Sequence, residues 1–259
     1  MFNRKSYKMI AKKQLKGRWT SAVLAMLVIY AIFLVLNLPK TISTITNGNS
    51  ITGSPFFFYG EENFSSGESH EFYYESQNQF SFSNTILLLV NFFINGAVLM
   101  AFSLFFVKMF QTTQKLSFSE FISGFSKCIS GFLGLLWFTL WTTLWSLLFI
   151  IPGIVKAFSY SQMFFVMADN PKISVTKAMK ISKIITKGNK GELFVMALSF
   201  LGWDILCAFT FGILSLWINP YKMMSYTNAY YAMKVQALKQ GELTPEDFEE
   251  ASSSSIQDK

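Results

Sequence analysis

A chain of 259 residues that is 51% hydrophobic, 17% aromatic and only 14% charged, with a mean hydropathy of +0.35, has too little polar surface for a soluble domain. Its formal charge of +7 is gathered beside long apolar runs, where basic residues set topology and meet anionic lipid, so a nucleic-acid function is excluded. Cys128 and Cys207 lack metal-ligand spacing and are not evident disulfide partners, and neither a metal site nor a cofactor is expected.

Residues 1–18 carry Arg4, Lys5, Lys8, Lys12, Lys13, Lys16 and Arg18 and no acid. At 100° per residue Tyr7, Ile10, Ala11 and Leu15 oppose Lys5, Lys8, Lys12 and Lys16, which predicts a basic interfacial helix. Trp19 to Leu38 is long enough to cross a bilayer and no small-x-small cleavage pattern follows, so it reads as a first span rather than a signal peptide. The basic flank places the N-terminus in the cytoplasm. Residues 39–84 form a polar loop with Glu61, Glu62, Glu68, Glu71 and Glu75 against Lys40 alone, and the same rule places it outside. His70, the only histidine, lies in this loop, as does the sequon Asn63-Phe64-Ser65. Thr85 to Val107 brings the chain back, so 19–107 is a first hairpin.

Ser117-Phe118-Ser119-Glu120 has the form of a capping box, and Phe118, Phe121, Ile122, Phe125 and Ile129 follow at helical spacing. That predicts a second interfacial helix. Gly131 to Ile151 is the third span, Pro152-Gly153 an outer turn, and Ile154 to Ala168 a short fourth span closed by Asp169-Asn170-Pro171, so 116–170 is the second unit. Within 172–238, Lys172, Lys180, Lys183 and Lys187 oppose Val175, Ala178, Met179, Ile181 and Ile185, and Gly188 turns the chain into lipid. Glu192 to Phe209 is the fifth span, Thr210-Phe211-Gly212 the outer turn, and Ile213 to about Leu238 the sixth, with a kink expected at Pro220. Residues 239–259 read as a disordered acidic cytoplasmic tail. The expected fold is therefore all-α: a polytopic membrane protein with six transmembrane helices in three hairpins, each preceded by a cytoplasmic interfacial amphipathic helix.

An ungapped alignment of Met9 to Leu27 with Lys180 to Leu198 pairs Ile10 with Ile181, Lys12 with Lys183, Lys16 with Lys187, Gly17 with Gly188 and Leu27 with Leu198. A helix ending at Ser130-Gly131 would supply a third copy, 57 residues before Gly188. The segments KKQLKGRW (Lys12 to Trp19), LLFIIPGIVKA (Leu147 to Ala157), YSQMFFVMADNP (Tyr160 to Pro171), TKGNKGELFVMALSFLGW (Thr186 to Trp203) and Asn219-Pro220-Tyr221 resemble an uncharacterised family of bacterial integral membrane proteins. A more distant likeness is to the membrane domain of some bacterial glycerophosphodiester phosphodiesterases, whose catalytic domain has no counterpart here. The resemblance implies a six-span protein of the bacterial cytoplasmic (inner) membrane, and no established catalytic residues.

Charges inside spans are costly unless paired or wet, which makes Asp204, Lys222 and Lys156 the intramembrane candidates. At about 1.5 Å per residue, Asp204 and Lys222 stand about 19 Å and 16 Å above the inner boundary and Lys156 about 27 Å, so depth favours an Asp204–Lys222 pair. Asn91 and Asn95 share one face of the second span and are candidates for the same polar interior. Lys12, Lys16, Lys180, Lys183 and Lys187 are the candidates for docking anionic lipid or a membrane-protein partner. No HExxH, GxSxG or phosphate loop is present. The sequence thus points to a non-enzymatic scaffold, assembly or stress-related accessory factor, with a small transporter or lipid-handling protein as the alternative.

Overall fold

The computed structural model describes residues 2–46, 82–114 and 116–248, with side chains described for 2–35, 86, 88–114 and 116–248. Most of the expected outer loop, with His70 and the sequon, and residues 249–259 of the tail lie outside the described residues. Among the described residues every regular element is helical. In chain order they are α1 (Arg4–Leu15), α2 (Trp19–Thr46), α3 (Phe82–Gln111), α4 (Phe118–Ser123), α5 (Cys128–Leu148), α6 (Ile150–Tyr160), α7 (Met163–Asp169), α8 (Val175–Ile185), α9 (Lys190–Phe209) and α10 (Ser215–Lys239), with 3₁₀ turns at Gly124–Lys127 and Pro245–Phe248.

Four stretches are long and apolar enough to cross a membrane: Leu88–Gln111, Phe118–Leu148, Ile150–Asp169 and Lys190–Phe209. A fifth is added if α1 and the described part of α2, bent by 96° at their junction, count as one broken span. Leu24, Leu88, Leu140, Ile151, Leu201 and Phe209 belong to a broad exposed apolar surface, the side that hydrocarbon rather than water would cover. The helix at the centre is α10, which packs against α1, α2, α3, α8 and α9. It is also more polar than the long helices α2, α3, α5 and α9, carrying Asn219, Lys222, Asn228 and Lys234, and its neighbours supply the partners that lipid could not.

Gly17 and Gly188 end α1 and α8, each with φ of +79°, a left-handed conformation in which a Cβ would strain the turn. Buried positions on either side fall in the register of the sequence alignment: Ala11 with Ser182, Leu15 with Thr186, Arg18 with Asn189, Ala22 with Leu193, Ala25 with Met196 and Ile29 with Phe200. The third copy expected at Gly131 does not follow this plan. Gly131 lies inside α5 without a positive φ, and a Cβ there would collide with the Gly96 carbonyl of α3.

The helix expected to lie at the interface before that span instead runs antiparallel along α3. Glu120 pairs with Lys108 at 2.7 Å, the Phe121 and Phe105 rings meet edge to face at 5.9 Å, and a Cβ on Gly124 would stand 2.8 Å from the Ala101 Cα. The close approach at Gly124 and Gly131 is what holds α4 and α5 to α3 as one continuous wall. The capping box is not formed either, since Ser117 makes no side-chain cap and Glu120 is engaged by Lys108.

The turn expected at Pro152-Gly153 is displaced to Phe149, where φ is −158° and ψ 139°. Pro152 falls in the first turn of α6, where its missing N–H has no intrahelical partner to lose. Gly153 faces Ser146, allowing α5 and α6 to meet closely. The fourth expected span falls within Ile150–Asp169, where a turn at Ser161-Gln162 separates α6 from α7, and every residue from Met163 to Ala168 in α7 is buried. Residues 241–248, expected to be disordered from composition, fold back so that Leu243 and Phe248 are buried.

Candidate functional site

Helix α10 presents two charged positions. At the first, Lys222 Nζ lies 2.7 Å from Asp204 Oδ2, between α10 and α9, with side-chain exposures of 29% and 23%. The turn at 210–214 makes α9 and α10 antiparallel neighbours, and it is fixed from α2 by the Tyr30 hydroxyl, which donates to the Phe211 carbonyl at 3.2 Å. Beside the Pro220 position, the buried Asn219 Nδ2 has no hydrogen-bond partner.

The second charged position was not foreseen from the sequence. Asp169, the last residue of α7, accepts from Lys234 Nζ at 2.5 Å and from the Tyr230 hydroxyl at 3.0 Å on Oδ2, and from the Tyr231 hydroxyl at 2.8 Å and Gln111 Nε2 at 2.9 Å on Oδ1. Its side chain is 7% exposed and that of Lys234 19%. Phe110 stacks on Tyr231 at 4.0 Å, and the Lys234 ammonium stands 4.1 Å over the Phe248 ring. This carboxylate therefore ties α3, α7, α10 and the C-terminal segment together. The signal available in sequence was the i, i+1, i+4 set Tyr230, Tyr231 and Lys234 on one face of α10, opposite an acid at a helix end.

The remaining candidates are not gathered with either pair. Lys156 Nζ sits 4.2 Å over the Trp145 ring, a cation–π contact across the α5–α6 hairpin. Asn95 Nδ2 donates to the Asn91 carbonyl at 2.8 Å on the part of α3 that packs against Phe132 of α5, apart from the α9–α10 pair.

The docking lysines Lys12, Lys16, Lys180, Lys183 and Lys187 are all exposed, while Ala11 and Leu15 of α1 and Ala178, Ile181 and Ile185 of α8 are buried on the opposite faces. α8 is further fastened where Ser182 Oγ and Thr186 Oγ1 donate to the Ser159 carbonyl, at 2.8 and 3.2 Å, just before the α6–α7 break. At the end of α1, Arg18 donates to the carbonyls of Gln14, Met109 and Thr112, satisfying the last turn of α3. Lys187 pairs with Glu242 at 2.8 Å, and this hydrogen bond raises its pKa above 10.5. Asp247 accepts from the Thr244 backbone N–H and hydroxyl, which hold its carboxyl below the ordinary 3.8. Among the described residues no three His, Cys, Asp or Glu side chains are grouped to hold a metal ion.

Fold and site together define a protein whose described elements are all helical, among them several helices long and apolar enough to cross a membrane, the lysine-bearing amphipathic helices α1 and α8, and a polar central helix. The chain belongs to the family described as Protein of unknown function (DUF975), whose model matches residues 1–159 and 150–237. This match lends no support to the more distant likeness to glycerophosphodiester phosphodiesterases. No curated protein and no solved structure matches the chain.

Proposed function

We propose that the protein is a non-enzymatic accessory factor of the bacterial cytoplasmic membrane, a scaffold or assembly factor that docks anionic lipid and a membrane-protein partner. In this reading α2, α3, α4–α5, α6–α7, α9 and α10 are six spans in three hairpins, and both termini are cytoplasmic. The matched turns at Gly17 and Gly188 support a repeated unit of amphipathic helix, glycine and span in the first and third hairpins. One observation carries the reading: internal carboxylates are paired within the protein, Asp169 by four donors and Asp204 by Lys222, while Lys12, Lys16, Lys180 and Lys183 point outward. Charges committed to internal partners serve architecture, and charges left outward serve contact.

The test is native mass spectrometry of the tagged protein released gently from its own membrane. A stoichiometric protein partner that is lost on Lys180→Gln/Lys183→Gln substitution supports the reading. Unchanged recovery of that partner with the α8 variant overturns the role given to these lysines.

A small-solute path is the second reading, favoured by the break at Ser161-Gln162, where Gln162 is fully buried with its Oε1 unpartnered, and by Asn219 beside Pro220. Loss of cellular function with Asp204→Asn or Gln162→Leu in a normally folded protein, together with a retained small molecule and no protein partner, would establish it instead.

A further inference from the structure

The corner where α1 gives way to α2 opens a cleft of about 430 Å³ lined by Lys13, Gln14, Lys16, Gly17, Arg18 and Thr113. The left-handed turn at Gly17 keeps it open, since a Cβ there would meet nothing within 4 Å. The lining holds three cations and no acid. Arg18 is 8% exposed, yet its Nε and Nη1 donate only to neutral carbonyls, those of Gln14, Met109 and Thr112. Among the described residues its Nη2 has no partner, and no carboxylate pairs with it. Burial lowers its pKa, and no acid pulls the other way. A buried guanidinium without a counter-ion is costly, and the cleft beside it has room for one.

The corner does not need that charge to form. In the matched register, the residue between α8 and α9 is Asn189, whose Nδ2 donates to Gln236 Oε1 at 3.4 Å as a neutral pair. The cleft also lies at the start of α2 and just past the last turn of α3, at helix ends rather than beside their middles. A charged ligand there stays within reach of water.

We propose that this corner binds a phosphate monoester group, held by the Arg18 guanidinium with the Lys13 and Lys16 ammoniums closing over it. A guanidinium meets phosphate oxygens through directed N–H donors. From the same three charges a dianion gains about twice the attraction of a singly charged diester or carboxylate. The group can be carried by a soluble phosphate ester or by the headgroup of phosphatidic acid. The assignment rests on the reading above only in treating Lys16 as a contact residue, and it gives that residue a ligand.

The full chain is purified in a neutral detergent, free of any partner, and titrated by calorimetry at about pH 8, where a monoester carries close to two charges. The probes are glycerol 3-phosphate, dioctanoyl phosphatidic acid and dioctanoyl phosphatidylglycerol. Phosphatidic acid is expected to bind more tightly than phosphatidylglycerol. Each near-surface cation is worth about a fivefold change in affinity, so Lys13→Gln/Lys16→Gln is expected to weaken binding roughly twenty-fivefold. Arg18 also satisfies the end of α3, so its replacement would mix folding with binding. Thr113→Glu avoids this by setting a carboxylate in the cleft, and is expected to abolish binding while melting no lower than wild type without ligand. The α8 variant Lys180→Gln/Lys183→Gln is expected to bind as wild type does.

Binding of both monoesters assigns the site to the phosphate group wherever it is carried. Binding of phosphatidic acid alone assigns it to a lipid headgroup, and of glycerol 3-phosphate alone to a solute. Binding of neither monoester overturns the site, as does unchanged affinity in Lys13→Gln/Lys16→Gln or Thr113→Glu, and equal affinity for phosphatidylglycerol overturns the monoester assignment. Because the sample holds no partner, failure here leaves the docking role of α8 standing, and a partner indifferent to the α8 lysines leaves this site standing.

Discussion

Two lysine–carboxylate pairs share helix α10, about three turns apart, and differ in what surrounds them. Lys222 and Asp204 are each about a quarter exposed and join two helices that are already neighbours through a short turn. Lys234 and Asp169 are more deeply buried, and neutral donors from Tyr230, Tyr231 and Gln111 complete the carboxylate. In a low-dielectric interior a charge is tolerated in proportion to the hydrogen bonds that replace water. The first pair closes a hairpin; the second fixes how three distant parts of the chain meet.

The largest expected effect follows from that difference. Asp169→Asn leaves Lys234 without its counter-ion and weakens the acceptor for two tyrosine hydroxyls, a loss of about 3–5 kcal/mol for a broken buried pair. Thermal unfolding in detergent should show it as the most damaging single change at either pair. Asp169→Asn with Lys234→Met should recover part of the loss, because no buried charge is then stranded. An Asp169→Asn protein that melts like wild type would remove the distinction between the two positions.

Asp204→Asn sharpens the comparison from the other side. With both partners partly exposed, the expected loss is about 1–2 kcal/mol, and Lys222→Met should cost a similar amount. The double neutral variant should be more stable than the sum of the single losses implies. Strict additivity in this cycle would mean that the 2.7 Å contact contributes no coupling.

The pair between α9 and α10 was legible in sequence because a short turn makes the two helices antiparallel, so distance from that turn alone places Asp204 opposite Lys222. Asp169 was not, because its partners on α3 and α10 are 58 to 65 residues away and no local period announces them. The same division holds for the fold. Glycine at a left-handed position marked the ends of α1 and α8, and the lysine arcs marked their outward faces. Gly131 was expected to be a third such turn from its spacing, yet its glycine serves close helix packing against Gly96, and only the tertiary partner tells the two uses apart. Phe149 as the site of the α5–α6 turn was hidden for a related reason: Pro152 signals a helix start as readily as a turn.

Gln111→Leu tests whether the neutral donors matter to the deeper pair. It keeps the bulk of the side chain at the end of α3 and removes one donor to Asp169 and one contact with the Tyr231 hydroxyl. A loss of about 1 kcal/mol in the melting measurement is expected, below either charge substitution. No change would assign the whole stabilisation to the ion pair and the tyrosines.

The smallest expected effect lies where the deeper pair meets the C-terminal segment, and it depends on pH. Phe248 covers Lys234, and the turn that positions it is capped by Asp247, whose depressed pKa means its contribution is present above about 3.8 and lost as pH falls through the lower folded value. Lys187 acts in the opposite sense: its pKa is raised by Glu242, so its contribution is full below 10.5 and lost as pH rises through the higher folded value. Both groups are solvent-screened, and the Asp247 contribution is below about 0.5 kcal/mol. Hydrogen exchange of the 241–248 amides is the measurement fine enough to read it. Asp247→Asn at neutral pH should reproduce the acid-side loss of protection, and with Phe248 loosened, Lys234 should become more exposed without losing Asp169. If the segment exchanges as slowly in the variant as in the wild type, the burial of Leu243 and Phe248 holds it alone, and the deeper pair owes nothing to its polar cap.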